Sequence, residues 1–152
     1  MNAIAMKRVR VIPVLLLKNG GLVKSVRFKE HKYVGDPINA VKIFNEKEVD
    51  ELAIIDISAT AEQRPPDIKQ IAAIAGEAFM PVSYGGGIST LKQVQEIFFN
   101  GIEKVILNKA LHQNPDLVSD IAGSFGVQSV VASIDVKRNM LGRPRVYTDN
   151  GT

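Results

Sequence analysis

Pro81-Val82-Ser83-Tyr84-Gly85-Gly86-Gly87-Ile88-Ser89 is the stretch that decides the fold. A short apolar run containing an aromatic residue predicts a strand from Val82 to Tyr84. Three glycines break it. Ser89 then offers a side-chain acceptor for a helix start. Leu91, Val94 and Phe98 follow at helical spacing, and Gly101 closes the helix. Strand, turn and helix in that order make one βα unit.

The unit recurs on both sides. Upstream, Val9 to Leu17 is apolar on nearly every residue, as for a strand buried on both faces. Lys18 to Gly35 is polar and reads as an unusually long loop, a kind that is usually functional. Asp36-Pro37 starts a helix carrying Ile38, Val41 and Phe44. Leu52 to Ile57 is the second strand, and Asp67 caps a helix with Ile68, Ile71, Ala72 and Ala75 on one face. Downstream, Lys104 to Asn108 is the fourth strand. Asn114-Pro115 opens a helix bearing Val118, Ile121, Ala122 and Phe125, closed by Gly126. Val130 to Asp135 is the fifth strand, and Arg145 to Thr152 reads as an extended stretch meeting a turn.

Four βα units and a fifth strand predict an α/β fold: the N-terminal portion of a TIM (β/α)8 barrel. The barrel portion covers residues 1–152 as a single domain, with 1–6 an extra N-terminal tail. About three more strands would be needed to close such a barrel. An open portion predicts self-association through its strand edges. A doubly wound sheet shows the same alternation. Two features favour the barrel. Asp56, the glycine triplet, Asn108 and Asp135 all fall at the C-terminal ends of strands, where barrel sites gather. No G-x-G-x-x-G follows the first strand.

Composition excludes several classes. Apolar residues make up 45% and charged residues 23%, as in globular proteins rather than disordered ones. A net charge of +3 is too small to argue for nucleic acid, and the densest basic cluster, Lys7-Arg8-Val9-Arg10, reads as a solvated strand start. There is no cysteine, hence no disulfide and no thiolate metal site. His31 and His112 fall in expected loops without ligand spacing around them, so neither a metal nor a cofactor is expected. The longest apolar run, Val11 to Leu17, contains Pro13 and is too short to span a bilayer. No signal peptide is recognisable at Met1, and a cytoplasmic location is expected.

Several residues could carry chemistry. Gly85-Gly86-Gly87 before a helix start allows an anion to approach the backbone, and is equally a tight turn. Asn108-Lys109 would place an amide and a cation beside the same space, or serve only as a helix start. Asp135 and Asp56 end apolar strands, where a carboxylate acts as general acid or base or as a structural cap. Arg10, Glu51 and Lys104 lie at the opposite, N-terminal ends of strands. An ion-pair ring there either closes the bottom of the barrel or gates passage through it.

Together, Arg10-Val-Ile-Pro13, Lys18-Asn-Gly20, Gly35-Asp-Pro37, Ile55-Asp-Ile57, Gly85-Gly-Gly-Ile88, Glu103-Lys-Val105, Asn114-Pro115, Phe125-Gly126 and Ser133-Ile-Asp-Val-Lys137 resemble the cyclase subunit of imidazole glycerol phosphate synthase in order and spacing. The resemblance implies a barrel that receives ammonia from a partner glutaminase at its lower end and adds it to a phosphorylated substrate at its upper end. It implies a phosphate site at Gly87 and Asn108, and a catalytic role for Asp135. Arg10, Glu51 and Lys104 would be gate residues, and Glu103 would lie near the glutaminase.

Two departures stand out. The family's aspartate at the end of the first strand is Leu16 here, within Leu15-Leu16-Leu17-Lys18-Asn19-Gly20. A small hydroxyl residue usually follows the phosphate-site asparagine, and Lys109 stands there instead. Leu-Leu-Leu-Lys-Asn-Gly-Gly is similar to a branch associated with surface-polysaccharide sugars, in which an acetamido group becomes an acetamidino group. That branch implies amidation of a phosphorylated or nucleotide-linked sugar. Cyclisation in histidine biosynthesis, or a non-catalytic subunit that docks and activates a glutaminase, are the alternatives.

Overall fold

Asn19 and Gly20 both take positive φ, 52° and 79°. An Asn-Gly pair in that conformation reverses the chain with the twist that flanking strands require. In the computed structural model, which describes residues 9–26 and 29–147, the expected long loop is therefore a hairpin. Strand β1 (Val14–Lys18) pairs antiparallel with β2 (Gly21–Val26), and β2 with β3 (Lys29–Gly35). His31 sits in β3 rather than in a loop. The 1–6 tail and the chain beyond Tyr147 lie outside the described residues.

The elements that follow are α1 (Pro37–Glu46), β4 (Leu52–Asp56), α2 (Ile68–Glu77), β5 (Val82–Gly85), α3 (Leu91–Phe99), β6 (Lys104–Leu107), α4 (Ala110–Gln113), α5 (Pro115–Phe125), β7 (Val130–Ala132), β8 (Asp135–Arg138) and β9 (Pro144–Tyr147). The main sheet runs β3-β2-β1-β4-β5-β6-β7, and β8-β9 form a separate hairpin. From β1 through β4, β5 and β6 to β7 the pairings are parallel and follow chain order without reversal. A doubly wound sheet would contain a switch point where the order reverses. The arrangement is that of the first part of a (β/α)8 barrel.

Three expectations are corrected. β1 begins at Val14, and Val9, Val11 and Ile12 are 83%, 58% and 39% exposed. At that level only the β4 side supplies partners, and β2 pairs no lower than Leu16. The fifth barrel strand stops at Ala132, so Asp135 opens β8 instead of ending β7. A short helix, α4, follows β6 directly and takes up His112.

The helix starts are largely as the sequence indicates. Asp36 accepts from Asn39 N at 3.1 Å, Asp67 from Gln70 N at 3.1 Å and Asn114 from Leu117 N at 3.4 Å. For α3 the cap is Thr90, not Ser89. Thr90 Oγ1 accepts from Gln93 N and the Gln93 side chain accepts from Thr90 N, a reciprocal capping box. Ser89 supports this box, donating from both N and Oγ to Gln93 Oε1.

Register sorts the side chains into two layers. Leu15, Ile54, Tyr84, Val105 and Val130 align across the sheet, one residue out of step with Leu16, Ile55, Gly85, Ile106 and Val131. The first row faces the helices. With Leu17, Leu52 and Leu107 it meets Val41, Ile71, Ile74, Val94, Ile97, Leu117 and Ile121 in the core. The second row lines the other, inner face. Among the described residues no helix is long and apolar enough to cross a membrane.

Gly123 lies within α5 with open space where a Cβ would be. Gly123→Ala should raise stability in urea denaturation by about 0.5–1 kcal/mol. Gly20→Ala, at φ 79°, should lower it by about 1 kcal/mol.

Candidate functional site

Asp56 continues the alternation of Leu52 and Ile54, so its side chain belongs to the helix-facing layer and is 6% exposed. The expected placement at the open mouth is thus corrected. Its Oδ1 accepts from Ser58 N (3.0 Å), Ser58 Oγ (3.0 Å) and Ala59 N (3.1 Å). Its Oδ2 accepts from Arg64 Nη2 at 2.9 Å. Arg64 also reaches Ser58 Oγ and Glu62. The hydrogen bond to Asp56 raises the guanidinium pKa further, so its charge is fixed. One buried carboxylate thereby folds the 57–65 loop onto the end of β4. Tyr84 is buried beside it, and burial, then the Asp56 charge, push the phenol pKa up.

That loop explains the glycine triplet. A Cβ on Gly86, at φ 119°, would overlap the Asp56 carbonyl, and one on Gly87, at φ 69°, would overlap the Arg64 carbonyl. A Cβ on Gly85 would meet Ile106 O at 2.9 Å. Gly87 N donates to Thr60 Oγ1 at 3.2 Å. Close backbone approach is therefore a sufficient reason for all three glycines, and the triplet sits under the 57–65 loop.

Asn108 and Asp135 do come together. Asn108 Nδ2 donates to Ser133 O at 3.0 Å and to Asp135 Oδ2 at 3.2 Å. Both amide hydrogens are thus used to hold the root of β8 against the end of β6. Asp135 itself is exposed. Among the described residues its Oδ1 accepts no hydrogen bond, which leaves that oxygen for a proton or a substrate group. Lys109 follows at the start of α4. Leu16 lies in the inner row with Ile55, Gly85, Ile106 and Val131. At that place it extends an apolar surface and offers no proton.

At the lower end, Glu51 is buried and Lys104 Nζ donates to its Oε2 at 2.6 Å. Arg10 Nη1 stands 3.7 Å from the same oxygen, with a largely exposed side chain. The three charges expected from sequence therefore converge. At the same end of the sheet, the last residue of α3 and the turns after α2 and α5 display Phe99, Phe79 and Val127, which are 91%, 87% and 77% exposed. Sequence reasoning missed this apolar rim. The signal available was an aromatic residue at the end of each of two amphipathic helices, off the buried stripe.

It also missed a pocket of about 530 Å³ over the β1–β2 turn, lined by Lys18, Asn19, Gly20, Gly21, His31, Tyr33 and others. Lys18 Nζ meets His31 Nδ1 there at 3.1 Å. The Asn-Gly dipeptide between two apolar runs is the hairpin signal.

The family model described as histidine biosynthesis protein matches residues 10–152. Among curated relatives, a Pseudomonas aeruginosa protein with the provisional name imidazole glycerol phosphate synthase subunit hisF2 is 55% identical over 97% of this chain and 59% of its own length. One from Vibrio vulnificus, provisionally named subunit hisF3, is 50% identical over 100% of this chain and 59% of its own length. The imidazole glycerol phosphate synthase subunit HisF of Chloroherpeton thalassium is 37% identical over 93% and 56%. The chain spans rather less than two thirds of the length of these relatives.

Asp56→Ala would strand Arg64 and two backbone donors. It should cost about 3 kcal/mol in urea denaturation, at the low end for a buried pair because Arg64 is partly solvated. In an absorbance titration of the three tyrosines, Tyr84 should ionise only on unfolding. Its folded pKa lies above the unfolded value of about 10, so its contribution is present below that pH and is lost as pH rises beyond it.

Proposed function

This chain belongs to the histidine biosynthesis protein family, and on that premise we propose that it is part of a HisF-like synthase subunit of a glutamine amidotransferase complex. In this reading a glutaminase docks at the lower end and supplies ammonia. The subunit then amidates a phosphorylated or nucleotide-linked sugar for a surface polysaccharide, in the cytoplasm. Leu16 is the observation that carries the choice of reaction. It occupies the inner row at the upper end, where cyclisation would call for a second carboxylate. General acid–base help is worth about 10²–10⁴-fold, and leucine supplies none.

The residues divide the work by position. Glu51, Lys104 and Arg10 form the ion cluster through which ammonia would pass, and Phe79, Phe99 and Val127 offer the partner an apolar rim. Asp135, aligned by Asn108, accepts a proton from ammonia as its nitrogen adds to the acetamido carbon, and the carbonyl oxygen departs as water when the C=N bond forms. Gly85, Gly86, Gly87, Asn108 and Lys109 are the phosphate-site candidates. Asp56 supports that site from beneath by fixing the loop that covers the glycines. The histidine-pathway reaction is the second reading. It is favoured by the name of the Chloroherpeton thalassium relative and by the charged cluster.

The test uses the longer protein that contains these residues, its glutaminase, and two substrate sets. Amidation of a nucleotide-linked acetamido sugar is the expected activity. Imidazole glycerol phosphate formation at an equal or greater rate would overturn the proposal. Asp135→Asn should lower ammonia-dependent turnover at least about 100-fold. Unchanged turnover would leave a docking role only. Phe99→Asp should weaken glutaminase binding about tenfold or more in calorimetry while leaving turnover with free ammonium salts intact, the loss of a buried aromatic anchor being worth that much.

A further inference from the structure

Positive charge is concentrated in two hairpins. Residues 18–35 and 135–147 hold nine of the 19 Lys and Arg but only two of the 16 Asp and Glu. They carry a formal +7, and the rest of the chain −4. In β2–β3 some of this charge has a ready explanation, because β3 is the edge of the sheet and edge lysines discourage pairing with other chains. The β8–β9 hairpin is a separate two-stranded sheet whose strands are both edges, and its charge is arranged differently.

Asp135 faces Tyr147, Val136 faces Val146, Lys137 faces Arg145 and Arg138 faces Pro144. Alternation then puts Asp135, Lys137, Arg145 and Tyr147 on one face, with Val136, Val146 and Arg138 on the other. Two cations stand directly opposite each other on the first face, an arrangement that weakens a two-stranded ribbon. Among the described residues neither has an acidic partner. Lys137 Nζ instead lies over the Tyr147 ring, 5.8 Å from its centre. The one acid on this face, Asp135, is held by Asn108. One pleat step, about 7 Å, separates it from the cationic pair.

We propose that Lys137 and Arg145 clamp the diphosphate of a nucleotide-linked substrate whose reacting group lies at Asp135. This rests on the reading of the upper end as a phosphate-bearing substrate site, and names the part of the substrate recognised by the hairpin. A diphosphate diester carries two negative charges on neighbouring phosphorus atoms. Two opposed cations with side chains about 5 Å apart match that spacing and remove their own repulsion in doing so. Tyr147 holds the lysine in place before the anion arrives. The like-charge pair weakens the ribbon in the free protein, and the ligand relieves that cost on binding.

Calorimetric titration of the intact protein with uridine diphosphate and with inorganic phosphate tests the clamp. Wild type should bind the diphosphate more tightly than phosphate. Lys137→Ala and Arg145→Ala should each weaken diphosphate binding about tenfold, with Lys137→Arg largely retaining it. Arg138→Ala removes the same charge from the opposite face and should change binding less than twofold. Lys137→Glu should abolish binding yet slow amide exchange in β8–β9, because it pairs with Arg145. Equal losses for Arg138→Ala and Lys137→Ala would overturn the clamp in favour of a diffuse field. Wild-type binding of the diphosphate with unaltered affinity in the Lys137→Ala, Arg145→Ala double variant would also overturn it, while leaving the proposed function standing. If wild type bound neither anion, the phosphate-site reading itself would fall.

Discussion

Register across five parallel strands is the constraint from which the rest follows. Because side chains alternate, pairing Leu16 with Ile55, Gly85, Ile106 and Val131 commits every neighbour in sequence to the helix side. One row becomes core and the other becomes interior lining. A slip of one residue would bury Lys104 among the helices and expose Val105. Chemistry is therefore confined to inner-row positions and strand ends, which is where Glu51, Lys104, Asn108 and Asp135 are found.

The same alternation decides which acids are available. Asp56 and Asp135 look alike in sequence, each closing an apolar run. The structure separates them by parity and by chain direction. Asp56 falls on the helix side and is consumed by Ser58, Ala59 and Arg64. Asp135 falls past the end of β7, where a new hairpin begins, and keeps an exposed carboxylate. Equivalent motifs thus yield a structural anchor in one case and a candidate reactive group in the other.

What the sequence made legible is what depends on local pattern. Three of the four long-helix caps, the alternation of strands with helices, and the lower charge cluster could be read directly, because spacing alone defines them. The misplaced features depend on competition between neighbours. Ser89 and Thr90 are both good caps, and only Gln93 closing a box with Thr90 selects between them. Val130 to Asp135 reads as one strand, yet the ladder closes with Ser133 N donating to Leu107 O, and Ile134 lies beyond the end of β6. Polarity marks the 18–35 segment as a loop, and its Asn-Gly turn holds the stronger information. Site assignments at the glycine triplet remained open for a similar reason. Anion binding and close packing both demand glycine, and only the positions of the Asp56 and Arg64 carbonyls reveal the packing demand.

The caps themselves set a pattern of electric field around the upper end. α1 and α2 begin on the carboxylates of Asp36 and Asp67, and α5 has Asp116 in its first turn. Each of those acids offsets the partial positive charge of its own helix terminus. α3 begins on the neutral Thr90 with no acid in its first turn. Of these four helices it is the one that keeps its dipole uncompensated, and it is the helix that follows Gly85-Gly86-Gly87. The helix starts are thus unequal at short range: a carboxylate opposes the amide dipoles of α1, α2 and α5, while those of α3, beside the glycine triplet, act unopposed within its first turn.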